Sequence, residues 1–110
     1  MANRERLIKT LVDLVQIDSP TGEEDEMDRE VTARLQKLGF NVYHDSFNNV
    51  IAKLEGAGEP VILSAHLDTV EPGRGIKPVL DGDVLRSDGS TILGGDCKAG
   101  VAVEIGRAHV

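Results

Sequence analysis

Residues 61–68 have the sequence VILSAHLD. It begins as a continuous apolar run, which is typical of a central β-strand buried on both faces. Its polar side chains, His66 and Asp68, come at the carboxyl end. Because ligands bind outside the carboxyl ends of strands in open α/β sheets, these two side chains are the first candidates for a functional site.

Two amphipathic helices are predicted before this strand. The first lies within residues 3–16 and the second begins after Thr21, which forms a capping-box pattern with Glu24. Gly39 is expected to end the second helix, since a left-handed cap favours a residue without Cβ. The predicted buried stripes are Leu7, Leu11, Leu14 and Val15 on the first helix, and Met27, Val31, Leu35 and Leu38 on the second.

The other segments predict an α/β layer fold. Two extended segments at residues 40–43 and 50–54 flank a turn at Asn48 and Asn49, which favours a hairpin. Residues 71–95 are rich in Gly, Pro and Asp and predict a long loop with a small hairpin, and a helix is expected to begin at Lys98. This order of elements indicates a sheet flanked by helices.

Composition excludes several classes of function. The 110 residues carry a formal net charge of −7, with a pI of about 4.8, which disfavours nucleic acid as a partner. No apolar run approaches the roughly 20 residues of a membrane helix, so no membrane partner is expected. The single cysteine, Cys97, cannot form an internal disulfide, and a cytoplasmic location is the default expectation.

Two motifs carry candidate chemistry, and each has a plain structural alternative. His66 and Asp68 suit a metal ligand supported by a carboxylate, although a surface hydrogen bond explains the same spacing. The segment 94–100, GGDCKAG, places Asp96 among glycines just before a helix. Asp96 can act there as a helix N-cap, as a metal ligand, or as both, because a helix N-terminus favours an ionised carboxylate.

Together the segments 64–70, SAHLDTV, and 94–100 resemble the metallopeptidase family that includes peptidase T, carboxypeptidase G, aminoacylase and succinyl-diaminopimelate desuccinylase. Segments 19–24 and 91–94 look closest to the peptidase T-like branch. The resemblance implies the N-terminal part of a three-layer, sheet-and-helix zinc-peptidase catalytic domain. It covers residues 1–103 and leaves out most of the family's length, which is roughly three times that of this chain.

The resemblance also implies a two-zinc site, with cobalt or manganese as alternatives, and hydrolysis of amide bonds in short peptides or acyl-amino acids. By motif, His66 matches a metal ligand, Asp96 the aspartate that bridges both metals, and Asp68 the catalytic-site aspartate that supports the histidine. A homodimer of the longer protein is a further implied partner. Cys97 departs from the family pattern, since many relatives have a second aspartate there; we expect it to be a small buried residue rather than a ligand.

The family's general-base glutamate and its remaining metal ligands come later than residue 103, so the chain alone is expected to be inactive, or at most to bind metal weakly. Residues 104–110, EIGRAHV, are what the codons GAG ATC GGA AGA GCA CAC GTC would encode. All but the first base match a widely used sequencing-library adapter. We therefore expect residues 104–110 to be a non-native tail, and we give His109 no role.

Overall fold

Three helices and two antiparallel hairpins make up residues 3–107, the part of the chain that the computed structural model describes. His109 and the other residues of 108–110 lie outside it. The elements are α1 (Arg4–Val15), α2 (Asp25–Lys37), β1 (Asn41–His44), β2 (Val50–Lys53), β3 (Pro78–Asp81), β4 (Val84–Ser87) and α3 (Gly95–Arg107). The fold class is α/β, as the sequence predicts.

Both predicted amphipathic helices form, and their apolar stripes face the core. The side chain of Asn3 caps α1 by accepting a hydrogen bond from the Arg6 amide at 3.0 Å. After the C-terminus of α2, Gly39 has φ +93°, the left-handed conformation expected after a helix. These boundaries confirm the periodicity and C-cap predictions.

The predicted capping box at the start of α2 is wrong. The cap of α2 is Glu24, which makes no side-chain capping hydrogen bond. Thr21 lies outside the helix, and its hydroxyl donates to the distant Asp68 instead. The Glu24 carboxylate accepts a hydrogen bond from the Gly22 amide. A carboxylate acceptor 47 residues away has displaced the local cap that the sequence pattern suggests.

The two hairpins confirm the predicted turns. β1 pairs with β2 from Asn41 opposite Lys53 to His44 opposite Val50, and Asn48 in the connecting turn has φ +64°. β3 pairs with β4 from Pro78 opposite Ser87, within the segment predicted as a long loop with a small hairpin. Within residues 3–107 the two hairpins form separate two-stranded sheets.

The core lies between the helices. The buried residues of this cluster come from α1, α2 and α3: Leu14, Met27, Val31, Val101, Ala102 and Ile105. α1 packs directly against α3, although some 80 residues separate them in the sequence. The buried Lys98 also links α3 to the segment that follows α1, because its ammonium donates to the Ile17 carbonyl at 2.6 Å.

The predicted buried central strand is wrong for this chain. Val61, Ile62 and Leu63 are 84%, 88% and 56% exposed, and residues 61–65 make no hydrogen bond to another described backbone group. A strand is buried only when neighbouring strands and helices cover it, and neither hairpin pairs with this segment. No helix within residues 3–107 has the length and apolar character needed to cross a membrane.

Candidate metal centre

The end of the 61–68 segment is held in place by residues 19–21. Pro20 and Thr69 form a parallel bridge, in which the Thr69 amide donates to the Ser19 carbonyl at 2.8 Å and the Thr21 amide donates to the Thr69 carbonyl at 3.2 Å. The buried Ser19 adds a hydroxyl donor to the Leu67 carbonyl at 2.9 Å. This short strip fixes the backbone on both sides of Asp68.

His66 lies between two carboxylates. Its Nε2 is 2.9 Å from Asp96 Oδ1, while its Nδ1 is 3.0 Å from the Asp68 carbonyl and 3.2 Å from Asp68 Oδ1. Both ring nitrogens therefore face hydrogen-bond acceptors, which favours the doubly protonated ring. The hydrogen bond with Asp96, followed by the one with the Asp68 backbone, raises the pKa of His66 above its ordinary value.

Asp68 is the most highly connected acid of the group. Its Oδ2 accepts the Thr21 hydroxyl at 2.6 Å, a length typical of a charge-assisted O–H donor to a carboxylate. That hydrogen bond is the main reason that the pKa of Asp68 lies below its usual range, with the neighbouring His66 contributing further. Asp68 therefore stays ionised and can hold the imidazole through its other oxygen.

Asp96 comes from an irregular segment just before the regular part of α3. Asp96 has φ −96°, ψ 99° and Cys97 φ −120°, ψ 35°, and regular helical geometry follows, in agreement with the start predicted at Lys98. Gly94 precedes them with φ +85°, a conformation that suits glycine. The Asp96 side chain is 95% exposed, so its carboxylate is free to face a ligand.

A groove passes over these side chains. Its lining comprises His66, Asp68, Thr69, Val70, Ile92, Gly94 and Asp96. Ligand-type atoms of His66, Asp96 and Cys97 lie within 4.8 Å of one another at its edge. Imidazole nitrogen, carboxylate oxygen and thiolate sulfur are all atoms that zinc binds, so the donor types present fit a zinc ion.

The structure brings together all three site residues that the sequence predicts, His66, Asp68 and Asp96. Two further residues join them. Thr21 contacts Asp68, and no local pattern could have shown this, since its position before a helix suggests a cap. Cys97 lies beside His66 and Asp96 and is only half-buried, so the expectation of a buried residue is not confirmed. Its sulfur lies within reach of a shared ion, and our expectation that it is not a ligand stays a prediction.

The sequence is similar to several bacterial and archaeal proteins. It is 38% identical to the uncharacterized protein YqjE of Bacillus subtilis over 93% of this chain, and 38% identical to a putative [LysW]-lysine/[LysW]-ornithine hydrolase of Pyrococcus abyssi over 87% of it. These matches span 30% and 28% of the two relatives, so the chain covers less than a third of their length. No protein-family model matches the chain.

Solved structures agree on the fold. A tripeptidase from Staphylococcus aureus superposes with a TM-score of 0.88 at 33% identity, over 99% of this chain and 32% of the tripeptidase. The aminopeptidase PepT from Bacillus cereus gives 0.89 at 36% identity, over 98% of this chain and 32% of PepT. An aminoacylhistidine dipeptidase from Vibrio alginolyticus, 24% identical with a TM-score of 0.81, shares the fold.

The chain thus has the α/β fold of part of a hydrolase catalytic domain. More particularly, it matches about a third of the tripeptidase and aminopeptidase structures, and it fits as a fragment of a peptidase of that kind.

Proposed function

We propose that this chain is part of a longer metal-dependent hydrolase that cleaves amide bonds in short peptides or acyl-amino acids, in the manner of a tripeptide aminopeptidase. One observation carries the proposal: His66 Nε2 and Asp96 Oδ1 lie 2.9 Å apart at the edge of a groove, in a fold that matches tripeptidase and aminopeptidase structures. A cytoplasmic location and a homodimer of the longer protein belong to the same proposal.

In this proposal His66 and Asp96 hold zinc, with cobalt or manganese as alternatives. A carboxylate has two oxygens, so Asp96 can serve a pair of ions while His66 binds one of them. When bound, the ions supply Lewis-acid polarisation of the scissile carbonyl and an activated water. Asp68 acts through His66: its Oδ1 and its carbonyl accept hydrogen bonding from Nδ1–H, which orients the ring and leaves Nε2 facing Asp96.

The second candidate function is that the 110 residues alone form only a weak metal-binding module. Within residues 3–107, the group of ligand-type side chains close enough to share an ion comprises three residues, and we expect Cys97 not to bind. Two protein ligands are fewer than the three that a catalytic zinc site ordinarily has. We therefore expect micromolar zinc affinity at best and no measurable hydrolysis by this chain.

Zinc titration by calorimetry tests the site. His66→Ala and Asp96→Ala are expected to abolish zinc binding. The matched control is His44→Ala, because His44 also pairs with an aspartate, Asp28 at 2.8 Å, but lies away from the groove. Equal affinity in the wild type, His66→Ala and Asp96→Ala would contradict the metal site.

Activity assays separate the two candidates. Purified chain is incubated with tripeptides and acyl-amino acids with and without zinc. Hydrolysis that is lost on adding a chelator and in Asp96→Ala would show that these residues suffice for catalysis, against our expectation. Zinc binding without hydrolysis is the result that we expect.

A further inference from the structure

We propose that Thr21 is a positioning residue: its hydroxyl locks the Asp68 carboxylate in the orientation in which Asp68 fixes the ring of His66. The structural part of this inference stands on the geometry of the chain alone, and its consequence for zinc rests on the proposed function. The sequence pattern predicts that Thr21 caps a helix, so only the structure reveals its contact with the site.

The backbone leaves Thr21 little freedom to face elsewhere. Its amide donates to the Thr69 carbonyl, and the Thr69 amide is held by the Ser19 carbonyl. Thr21 and Asp68 thus lie on adjacent parallel segments in a fixed register. Beyond Thr21, Glu23 forms an ion pair with Arg74, which also binds Glu71 at 2.9 Å, so the segment is tied on its other side as well.

The two carboxylate oxygens of Asp68 have separate tasks. Oδ2 accepts the Thr21 hydroxyl at 2.6 Å, while Oδ1 faces His66 Nδ1 at 3.2 Å. A carboxylate with one anchored oxygen cannot rotate about its last torsion without breaking that hydrogen bond. The Thr21 contact therefore decides whether Oδ1 stays directed at the imidazole.

The Nδ1 hydrogen bond of His66 depends on this arrangement. Nδ1 faces the Asp68 carbonyl and Oδ1, so the Nδ1–H group donates to Asp68, while Nε2 faces Asp96 Oδ1 and is the nitrogen that would release its hydrogen to a metal ion. Without Thr21, Asp68 loses its fixed orientation and one of the two acceptors at Nδ1 weakens. We expect a less firmly held ring and a poorer zinc ligand.

The chain contains a matched control for this arrangement. Thr32 donates to Asp28 Oδ1 at 3.2 Å, and Asp28 in turn contacts His44. This second Thr–Asp–His series has the same chemistry but lies on α2 and β1, away from the groove. Thr32→Val therefore removes an equivalent hydrogen bond without touching the site.

The experiment compares the wild type with Thr21→Val, Thr21→Ser and Thr32→Val. Thr21 is exposed, so replacing its hydroxyl by a methyl leaves the core intact, and circular dichroism verifies this. Long-range ¹H–¹⁵N NMR of the metal-free chain reports the Nδ1–H hydrogen bond of His66 through the Nδ1 chemical shift, assigned by its loss in His66→Ala. We expect a weaker Nδ1–H hydrogen bond, seen as a shifted Nδ1 signal, in Thr21→Val, and wild-type spectra in Thr21→Ser and Thr32→Val.

Zinc calorimetry on the same variants provides the second readout. Removing partners that orient a metal-binding histidine typically weakens metal affinity 10–100-fold, and we expect about tenfold for Thr21→Val because it acts through Asp68. In an Asp68→Asn background, Thr21→Val is expected to add nothing, which a merely local loss of stability would not reproduce.

The outcomes distinguish this proposal from the metal site. An unchanged Nδ1 signal of His66 in folded Thr21→Val overturns the positioning role, whether or not zinc binds. A shifted Nδ1 signal in a chain whose wild type binds no zinc supports the positioning role and contradicts the metal site. If Thr21→Val unfolds, Thr21→Ser decides through the same spectra, because loss of the wild-type Nδ1 signal despite a retained hydroxyl would overturn the proposal.

Discussion

Gly73 occupies a position where the backbone leaves no room for a side chain. A Cβ there would lie 2.5 Å from the Val70 carbonyl oxygen and 3.1 Å from Thr69 Oγ1. A carbonyl of the main chain cannot rotate away as a side chain can. The loop after the 61–68 segment therefore depends on this glycine to pack against residues that border the groove.

We expect Gly73→Ala to destabilise the chain by about 1–3 kcal/mol, the usual cost of overpacking a filled site. Gly56→Ala is the matched control, since a Cβ at Gly56 meets nothing within 4 Å and its φ is not positive. The control is expected to be neutral or stabilising by up to about 1 kcal/mol. Urea unfolding of both variants measures the difference, and equal midpoints would contradict the tight packing at Gly73.

Single residues of the site differ in how far the sequence predicts them. His66, Asp68 and Asp96 belong to recognisable segments, and the fold brings them together as those segments suggest. Thr21 belongs to a pattern with two outcomes, a helix cap or a distant partner. The parallel register between residues 19–21 and 67–69 brings Thr21 to its distant partner. The sequence of either segment alone does not predict that register.

The last helix, α3, carries an acid in an unfavourable place. Glu104 is half-buried, and desolvation raises the pKa of its carboxyl above its ordinary value. Folding then costs free energy whenever this side chain is ionised. A neutral residue of the same shape at position 104 would avoid this cost in folding free energy.

The pH dependence follows from the sign of that shift. Above the unfolded pKa, near 4.5, the folded state still holds the Glu104 proton that the unfolded state has released, so this group's contribution to stability falls as pH rises through the folded pKa. We expect Glu104→Gln to be more stable than the wild type at pH 7 and to lose this part of the slope. Thermal unfolding from pH 4 to 8 tests this, with the exposed Glu59→Gln as control; a Glu104→Gln variant that is less stable at pH 7 would refute it.

The sequence predicts the helices α1 and α2 better than it predicts the strand at residues 61–63. The stripe of α1 and that of α2 need only their own periodicity, and both are packed into the core. The burial of the apolar run at residues 61–63 cannot be predicted from its own sequence, because it depends on neighbouring strands. No strand among the described residues pairs with this run, so it forms an exposed segment.

The whole molecule exposes more surface than its mass requires. Its accessible surface is 7343 Å², whereas a folded monomer of 11.8 kDa is expected to expose about 5,900 Å². Part of the excess comes from Val61, Ile62 and Leu63, whose backbone groups also lack strand partners among the described residues. Unpaired apolar segments of this kind are templates for pairing with another chain.

We expect the purified chain to self-associate as its concentration rises, through the segment at residues 61–63. Ile62→Lys places a charge on that segment and is expected to shift the equilibrium toward monomer. Val84→Lys is the control, since Val84 is 59% exposed on β4, in a hairpin that does not pair with this segment. Sedimentation velocity at several concentrations measures the effect. A wild-type chain that stays monomeric throughout would contradict the prediction.

The origin of residues 104–110 is open to a direct test at the level of the gene. We propose that genomic DNA at the source locus departs from this sequence after codon 103 and continues into a paired-glutamate motif and a late histidine. In the structure α3 continues through Arg107, and Ile105 packs into the core at 3% exposure. Genomic codons that encode residues 105–110 as they stand would contradict the proposed non-native tail.

The contact between α1 and α3 has a consequence for how this chain acquires its structure during synthesis. Leu14 meets Val101, Ala102 and Ile105 only after residues 16–105 have been made, and Lys98 reaches the Ile17 carbonyl across 81 residues. Such long closures slow folding. The first helix therefore emerges from the ribosome long before the element that covers it, and its apolar face is available to chaperones throughout that interval.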